Sequence, residues 1–178
     1  MTAAEPPAPG SGARYQVSVT RRIGAAAQEI FAVIADPASH SVLDGSGMLR
    51  AGGAAADVIG AAGDTFAVRM YQARIGDYVM LNRVLDYVPG RRLAWEPTPG
   101  DEAASATAGL PVGASQGYIW GFDLVPDGPG ATAVTEFFDC SDAADAIRAA
   151  VDDGRAWLDA MGQTLARLAT LTEKNAAG

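Results

Sequence analysis

The chain has 178 residues, a net charge of −8, one histidine and one cysteine. This length predicts one domain with a sizeable core. Nucleic acid and anionic membrane surfaces are not expected partners, because both are bound through clustered cations and the sequence has only the pairs Arg21-Arg22 and Arg91-Arg92. One cysteine cannot form a disulfide framework and one histidine cannot build a multi-histidine centre, so we expect no metal.

The two ends of the chain predict tails around one domain at 14–173. Residues 1–13 are rich in Pro, Ala and Gly and predict a disordered tail, and residues 174–178 predict a frayed end. The N-terminal stretch lacks the apolar run of a signal peptide, and no window holds about 18 continuous apolar residues. We therefore expect a cytoplasmic protein without a membrane span, and homo-oligomerisation stays open.

The first three elements are a strand and two helices. Apolar and polar residues alternate over 15–23, which predicts a half-buried strand. Helical spacing of apolar residues over 25–36 predicts a helix that ends before Pro37, because proline disfavours helical geometry at the preceding residue. A second short helix is predicted from Pro37 to about Leu43, where the sequence DGSG stops it.

Strands follow, and then a long helix. The alternating patterns predict strands over 64–73, 78–88, 92–97, 116–126 and 131–141, with a weaker strand near 49–59. Segment 98–115 has no periodicity and is predicted to be a long loop. Helical spacing then predicts one amphipathic helix from roughly 145 to 173, with Gly154 as a kink point. Strands grouped between helices are typical of an α+β fold with an antiparallel sheet.

Several segments carry a resemblance to a known family. They are IGAAAQEIFAVIADPASH, LDGSGM, GDTFAVRM, NRVLDYVPGRRLAW, GFDLVPDGPGATAVTEFFD and WLDAMGQTLARL. In this order and spacing they resemble, over residues 15–172, the START-like or SRPBCC superfamily, and most closely its bacterial polyketide cyclase/dehydrase-type proteins. The resemblance implies a helix-grip fold, in which a curved antiparallel sheet of six to seven strands surrounds a long C-terminal helix and an apolar cavity. It also implies a bulky hydrophobic ligand and, as in most members, no cofactor.

The strand order predicts where such a cavity opens. In an antiparallel meander the connections after alternate strands share one end of the sheet. The turn at Gly76-Asp77, the loop 98–115 and the junction 140–146 are therefore expected to meet at the cavity mouth, with the loop as a rim or lid.

Polar residues inside the cavity are the candidates for catalytic roles, although no nucleophile with an evident base is present. These candidates are Glu136, His40, Asn82 and Tyr78. If Val134 and Phe138 face inward, strand alternation also places Glu136 in the cavity, where a carboxylate has a raised pKa or a paired cation. The alternative for Glu136 is a shifted register, or a salt bridge to Arg83 or Arg69.

His40 and Asn82 each have a structural alternative. His40 is either a general base or, as we favour, an exposed or capping residue of the second helix, with Asp44 and Ser46 closing the turn that follows. Asn82 is either a hydrogen-bond donor to a ligand or an inward side chain satisfied by the backbone, and the sequence does not separate the two.

Aromatic and apolar residues at alternate strand positions are expected to line the cavity beside these polar groups. The expected ligand-binding residues are Tyr71, Tyr78, Met80, Asn82, Trp95, Tyr118, Trp120, Glu136, Phe138, Trp157 and Met161. Ordinary core packing is the alternative for the aromatic members of this set.

Two functions follow from the resemblance and stay open at this point. One is an enzyme for the cofactor-free cyclisation, aromatisation or dehydration of a polyketide-like substrate. The other is a non-catalytic carrier of a lipid or hydrophobic metabolite. Two or more polar groups that converge in the cavity favour the enzyme, and a fully apolar cavity with one polar anchor favours the carrier. Protein interaction through the long loop is a weaker third possibility.

Overall fold

The computed structural model describes residues 15–52 and 57–176, and it has the predicted α+β fold. Two short helices follow the first strand, strands make up the middle of the chain, and a long helix ends it. The elements are β1 (Gln16–Ile23), α1 (Ala27–Ile34), α2 (Pro37–Leu43), β2 (Thr65–Gln72), β3 (Gly76–Val88), β4 (Arg92–Pro99), α3 (Glu102–Ala108), β5 (Ile119–Pro126), β6 (Thr132–Asp139), α4 (Asp145–Ala150), a 3₁₀ turn (Asp152–Trp157) and α5 (Leu158–Ala176).

The strands form one antiparallel sheet of six strands in the order β1-β6-β5-β4-β3-β2. The pairing register sets which side chains share the inner face, because residues that lie opposite each other point to the same side. Glu136 of β6 lies opposite Val19 of β1 and Phe122 of β5. A register shift between Val84 and Asp86 interrupts β3, and such bulges bend a strand.

Helix α5 packs on β1, α1 and α2, and its apolar stripe forms the core at that side. Leu165 and Leu168 are fully buried there against Ile30 and Ile34 of α1. Each side chain of this size contributes roughly 1.5–3 kcal/mol when buried. These contacts therefore fix α5 against the two short helices and help to stabilise that end of the molecule.

The C-terminal helix begins later than predicted. One helix was expected from residue 145, but α4 ends at Ala150 and α5 begins at Leu158. Asp152 and Asp153 have φ angles of 51° and 50°, and Gly154 has a φ of 90°. Left-handed residues in succession cannot continue a right-handed helix, so the chain breaks at the predicted kink point instead of bending there.

The predicted loop at 98–115 contains a helix and is shorter than expected. Thr98 and Pro99 belong to β4, and α3 follows. Asp101 holds α3 in place, because one carboxylate oxygen accepts from the Ala104 N–H at 2.8 Å and the other accepts from the Val79 N–H at 2.8 Å. This is the side-chain bond expected of a helix N-cap.

The weak strand predicted near 49–59 is not a strand in its described part. Leu49 forms an isolated bridge with Met70, and the described residues around it are otherwise irregular. Residues 53–56 of that prediction lie outside the described residues.

The sequence DGSG forms the turn that was predicted after α2, and this turn lies on α5. The Asp44 carboxylate accepts from the N–H groups of Ser46 and Leu49, both at 2.9 Å. The Gly45 N–H donates to the Thr164 hydroxyl at 3.0 Å. A Cβ placed on Gly45 would lie 2.0 Å from the carbonyl oxygen of Ala160, so only glycine allows the turn to approach the helix this closely.

The domain boundaries at 14 and 173 remain predictions. The predicted tail at 1–13 lies outside the described residues, and the backbone of α5 continues as a helix to Ala176. Within the described ranges, no helix combines the length and apolar character needed to cross a bilayer.

Replacing Gly45 with alanine is expected to lower the free energy of unfolding by about 2–3 kcal/mol, because the new methyl group overlaps the backbone of α5. The matched control is Gly162→Ala, which lies on α5 itself and whose Cβ would meet no neighbouring atom within 4 Å. That variant should be about 0.5–1 kcal/mol more stable, since alanine favours a helix interior. Urea unfolding of both variants measures the difference, and equal stability of the two would contradict the close contact.

Candidate functional site

A cavity of about 530 Å³ lies between the inner face of the sheet and α5. This volume falls within the range of small-molecule sites, which is roughly 300–1,000 Å³. Most of the residues predicted to bind a ligand line this cavity. They are Tyr78, Met80, Asn82, Trp95, Tyr118, Trp120, Glu136, Phe138, Trp157 and Met161, and His40 joins them.

Tyr71 is the exception, because it lies on the outer face of the sheet. Its neighbour Met70 lines the cavity, and strand alternation then turns Tyr71 outward. The Tyr71 ring is exposed, and the guanidinium of Arg50 lies 4.5 Å from its centre. The prediction that Tyr71 contacts a ligand inside the cavity is therefore wrong.

The three connections predicted to meet at the cavity mouth do meet there. The lining includes Ile75 from the β2–β3 turn, Ala104 from α3 and Ala146 from the end of the junction 140–146. The first of these turns lies at 73–75 instead of at Gly76-Asp77, because β3 already begins at Gly76.

Glu136 lies inside the cavity as a carboxyl group without a partner. Its side chain is 7% exposed, and its Oε2 has no hydrogen-bond partner among the described residues. Burial, and to a smaller extent the nearby Asp44 carboxylate, raise the pKa of Glu136 to about 8. At neutral pH this side chain is therefore mostly a neutral carboxylic acid.

The salt bridges considered for Glu136 are not formed. Arg83 donates instead to Glu96 on the outer face, at 3.1 Å. Arg69 is exposed on β2. The inward register is therefore correct, and the Glu136 carboxyl group has no cation beside it in the described part of the lining.

His40 is a packing residue, and the prediction of an exposed or capping role is wrong. It is buried, and its Nε2–H donates to the carbonyl oxygen of Ile34 at 2.8 Å. The imidazole is stacked on Trp95 at 5.6 Å and meets the edge of Phe66 at 5.3 Å. Burial lowers the pKa of His40 from its ordinary value, so the ring is neutral at neutral pH.

Asn82 and Tyr78 already have partners within the protein. The Asn82 side-chain amide donates to the carbonyl oxygen of Phe66 at 3.3 Å, which is the backbone-satisfied alternative for this residue. The Tyr78 hydroxyl accepts from the Gln72 amide at 3.1 Å, and burial raises the pKa of Tyr78. Both side chains shape the cavity while their hydrogen bonds hold them in place.

Four rings form an aromatic cluster between the sheet and the start of α5: Tyr118, Trp120, Phe138 and Trp157. The Trp120 and Phe138 rings are 4.8 Å apart, and the Trp120 and Trp157 rings are 5.7 Å apart. The Trp157 Nε1–H is buried without an acceptor among the described residues, and so is one amide N–H group of Gln116.

Gln116 is the residue that sequence reasoning missed. It lies just before β5 at the cavity mouth, and it is buried. No periodic pattern marks it, because it precedes β5 and its neighbour Gly117 lies against the backbone of Asp142 and Ala143 after β6. Together with Glu136 and Trp157, it gives the lining three buried polar groups that are available to a ligand.

Comparison with known proteins shows the fold. No protein-family model and no curated protein matches the chain. Solved structures do match: protein NE0264 from Nitrosomonas europaea is 13% identical with a TM-score of 0.63, over 92% of this chain and 97% of that one. The AHSA1 (SPO3351) protein from Silicibacter pomeroyi is 14% identical with a TM-score of 0.58, over 90% and 99%.

Protein CV1439 from Chromobacterium violaceum is 21% identical with a TM-score of 0.58, over 89% of this chain and 97% of that one. At these identities the similarity concerns the architecture alone. The chain therefore has a helix-grip fold, with an antiparallel sheet around a C-terminal helix, and its relation to the SRPBCC superfamily remains a resemblance.

The raised pKa of Glu136 makes the stability of the fold depend on pH. Between about pH 4.5 and 8 the folded protein keeps the Glu136 proton that the unfolded chain has lost, so stability falls as pH rises through this window. The slope from one group approaches about 1.4 kcal/mol per pH unit.

Glu136→Gln is expected to remove this contribution. Urea unfolding at pH 5.5 and 7.5 should show the variant gaining stability relative to wild type by about 2–3 kcal/mol between the two pH values. A difference between variant and wild type that does not change with pH would mean that Glu136 titrates normally in the folded protein.

Proposed function

We propose that the protein binds a bulky hydrophobic or aromatic small molecule in the cavity between the sheet and α5. The observation that carries this proposal is the unpartnered Glu136 carboxyl group inside an otherwise largely apolar cavity of about 530 Å³. A buried polar group without a hydrogen bond costs roughly 1–3 kcal/mol. A ligand with a polar group beside an apolar body offsets that cost, because its polar group can hydrogen-bond to the carboxyl group. A collapsed apolar core would leave the carboxyl group without a partner.

The polar groups at the mouth favour a ligand that also carries an acceptor atom. Trp157 and Gln116 offer N–H groups, which can only donate. Rings of the aromatic cluster would cover the apolar part of the ligand, since aromatic side chains with polar atoms suit such sites. The proposal includes a single domain at 14–173, a cytoplasmic location and no cofactor.

A matched pair of β3 variants tests the cavity as the binding site. Met80 lines the cavity and is 9% exposed, whereas the next residue, Leu81, points outward and is 36% exposed. Met80→Trp is expected to fill part of the cavity and weaken binding of the neutral fluorescent probe N-phenyl-1-naphthylamine at least about tenfold, which is about 1.4 kcal/mol. Leu81→Trp should leave the affinity unchanged.

Fluorescence titration measures both affinities, and thermal unfolding establishes that both variants are folded. Equal probe affinity in the two variants, or an effect of Leu81→Trp alone, would place binding outside the cavity. Absence of probe binding to the wild-type protein would contradict the proposal.

Acid–base catalysis on such a molecule is the second candidate function. The observation that favours it is the Glu136 pKa of about 8, because a carboxylic acid that keeps its proton near neutral pH can act as a general acid. The reaction class in that case is the cyclisation, aromatisation or dehydration of a polyketide-like substrate, with Glu136 transferring the proton and the cavity holding the chain in a reactive conformation.

Native mass spectrometry of wild type and Glu136→Gln distinguishes the two functions. A carrier is expected to retain the same small molecule in both proteins, with lower occupancy in the variant. An enzyme is expected to retain a different, unconverted molecule in the variant, because the proton-transfer step is blocked while the cavity stays intact. An identical molecule at identical occupancy would exclude a role for Glu136 in either function.

A further inference from the structure

The carboxyl groups of the cavity have no cationic side chain beside them. Among the described residues that line it, Asp44 and Glu136 carry carboxyl groups, and no lysine or arginine is present. His40 is neutral, since burial lowers its pKa and its Nε2–H is bound to a backbone carbonyl. The net charge of −8 on the whole chain adds to the negative electrostatic potential at the cavity. An anionic ligand such as a fatty acid would find no cation here.

Aromatic rings flank Glu136 on the inner face of the sheet. Phe122 lies directly opposite Glu136 on β5, and Phe138 follows two residues later on the same face of β6. Trp120 lies opposite Phe138, and Trp157 meets Trp120 from the far side of the cavity. The faces of aromatic rings carry negative charge and attract cations, most strongly where water is excluded.

We propose that the ligand of this cavity is a hydrophobic amine, whose protonated nitrogen pairs with the Glu136 carboxylate between these rings. The inference rests on the proposed function and names its ligand class. The unpartnered Oε2 atom accepts from the ammonium group, and the apolar lining takes the rest of the molecule. A neutral alcohol of the same shape fills the same space but gains neither the ion pair nor the ring contacts.

Binding of an amine changes the protonation of the site. The empty protein holds a proton on Glu136 below about pH 8, and the bound ammonium replaces it, so one proton leaves to solvent. The affinity for the amine should therefore rise about tenfold per pH unit toward pH 8, and it should fall again above the pKa of the amine itself, where the free ligand loses its charge.

The other titratable groups that face Glu136 are Tyr78, Tyr118, His40 and Asp44. Burial raises the pKa of Tyr78 from β3 and of Tyr118 from the chain before β5, and it lowers that of His40 from α2. The Asp44 carboxylate is held by the N–H groups of its own turn. The facing residues of β1 and α5, Val19, Met161, Thr164 and Leu165, carry no group that titrates.

Three probes that share one ring system test the charge preference: 2-naphthylmethylamine, 2-naphthalenemethanol and 2-naphthoate. Isothermal titration at pH 7.5 is expected to show the amine binding at least about tenfold tighter than the alcohol and the carboxylate binding weakest. Glu136→Gln should lower the affinity for the amine at least about tenfold, because the ion pair is lost, and leave the affinity for the alcohol unchanged.

Glu102→Gln is the matched control, because it removes the same charge from an exposed position in the first turn of α3 at the cavity mouth. It should retain the preference for the amine. Titrations of the wild type at pH 7 in buffers of different ionisation enthalpy should show release of close to one proton with the amine, and none in Glu136→Gln.

The outcomes separate this inference from the proposed function. If N-phenyl-1-naphthylamine or the alcohol binds and the amine binds no tighter, the amine inference is wrong and the proposed function stands. The same holds if Glu136→Gln and Glu102→Gln reduce amine affinity equally, since the effect is then one of overall charge. If none of the four molecules binds, both proposals are wrong.

Discussion

The cavity depends on the close backbone contact between the Gly45 turn and α5. Apolar residues of the sheet and the helix would otherwise move together, because burial of apolar surface is the main driving force of folding. The turn meets the Ala160 carbonyl and the Thr164 hydroxyl, and the Arg167 guanidinium donates to the Asp44 carbonyl oxygen. These contacts hold α5 at a fixed distance from β2, β3 and β4, so the cavity between the helix and these strands remains open.

The aliphatic core and the cavity mouth are located at opposite ends of the molecule. The closed end, where α1 and α2 meet α5, holds the fully buried aliphatic residues of the core. The mouth end is covered by α3, α4 and the 3₁₀ turn, and Asp101 bonds α3 to the Val79 N–H of β3. Ligand entry between these short elements would leave the aliphatic core at the closed end in place.

Regular alternation and helical spacing were sufficient to predict the sheet, α1 and the inward position of Glu136, and the Pro37 and DGSG signals were sufficient to predict α2. The errors arose where such patterns carry no information. Tyr71 was included for its aromatic ring, although it shares a face of β2 with the exposed Arg69, and Met70 shares the inner face with Phe66. The helix break at Asp152 is a feature of the backbone angles, which the spacing of apolar residues does not reveal. Helix α3 has no apolar stripe, so helical spacing could not predict it. The burial of His40 depends on Trp95 and Phe66, which are distant in sequence.

Asp44 connects the spacing of α5 with the chemistry of the cavity. Its carboxylate closes the turn on which α5 rests, and its charge adds to the burial that raises the pKa of Glu136. Removal of this carboxylate would therefore change the shape of the cavity and the protonation of its main polar group together. Because the two effects have one source, substitutions at Asp44 cannot separate them, whereas Glu136 can be changed without touching the turn. The ligand preference of the cavity is therefore best assigned through Glu136, with the turn kept intact.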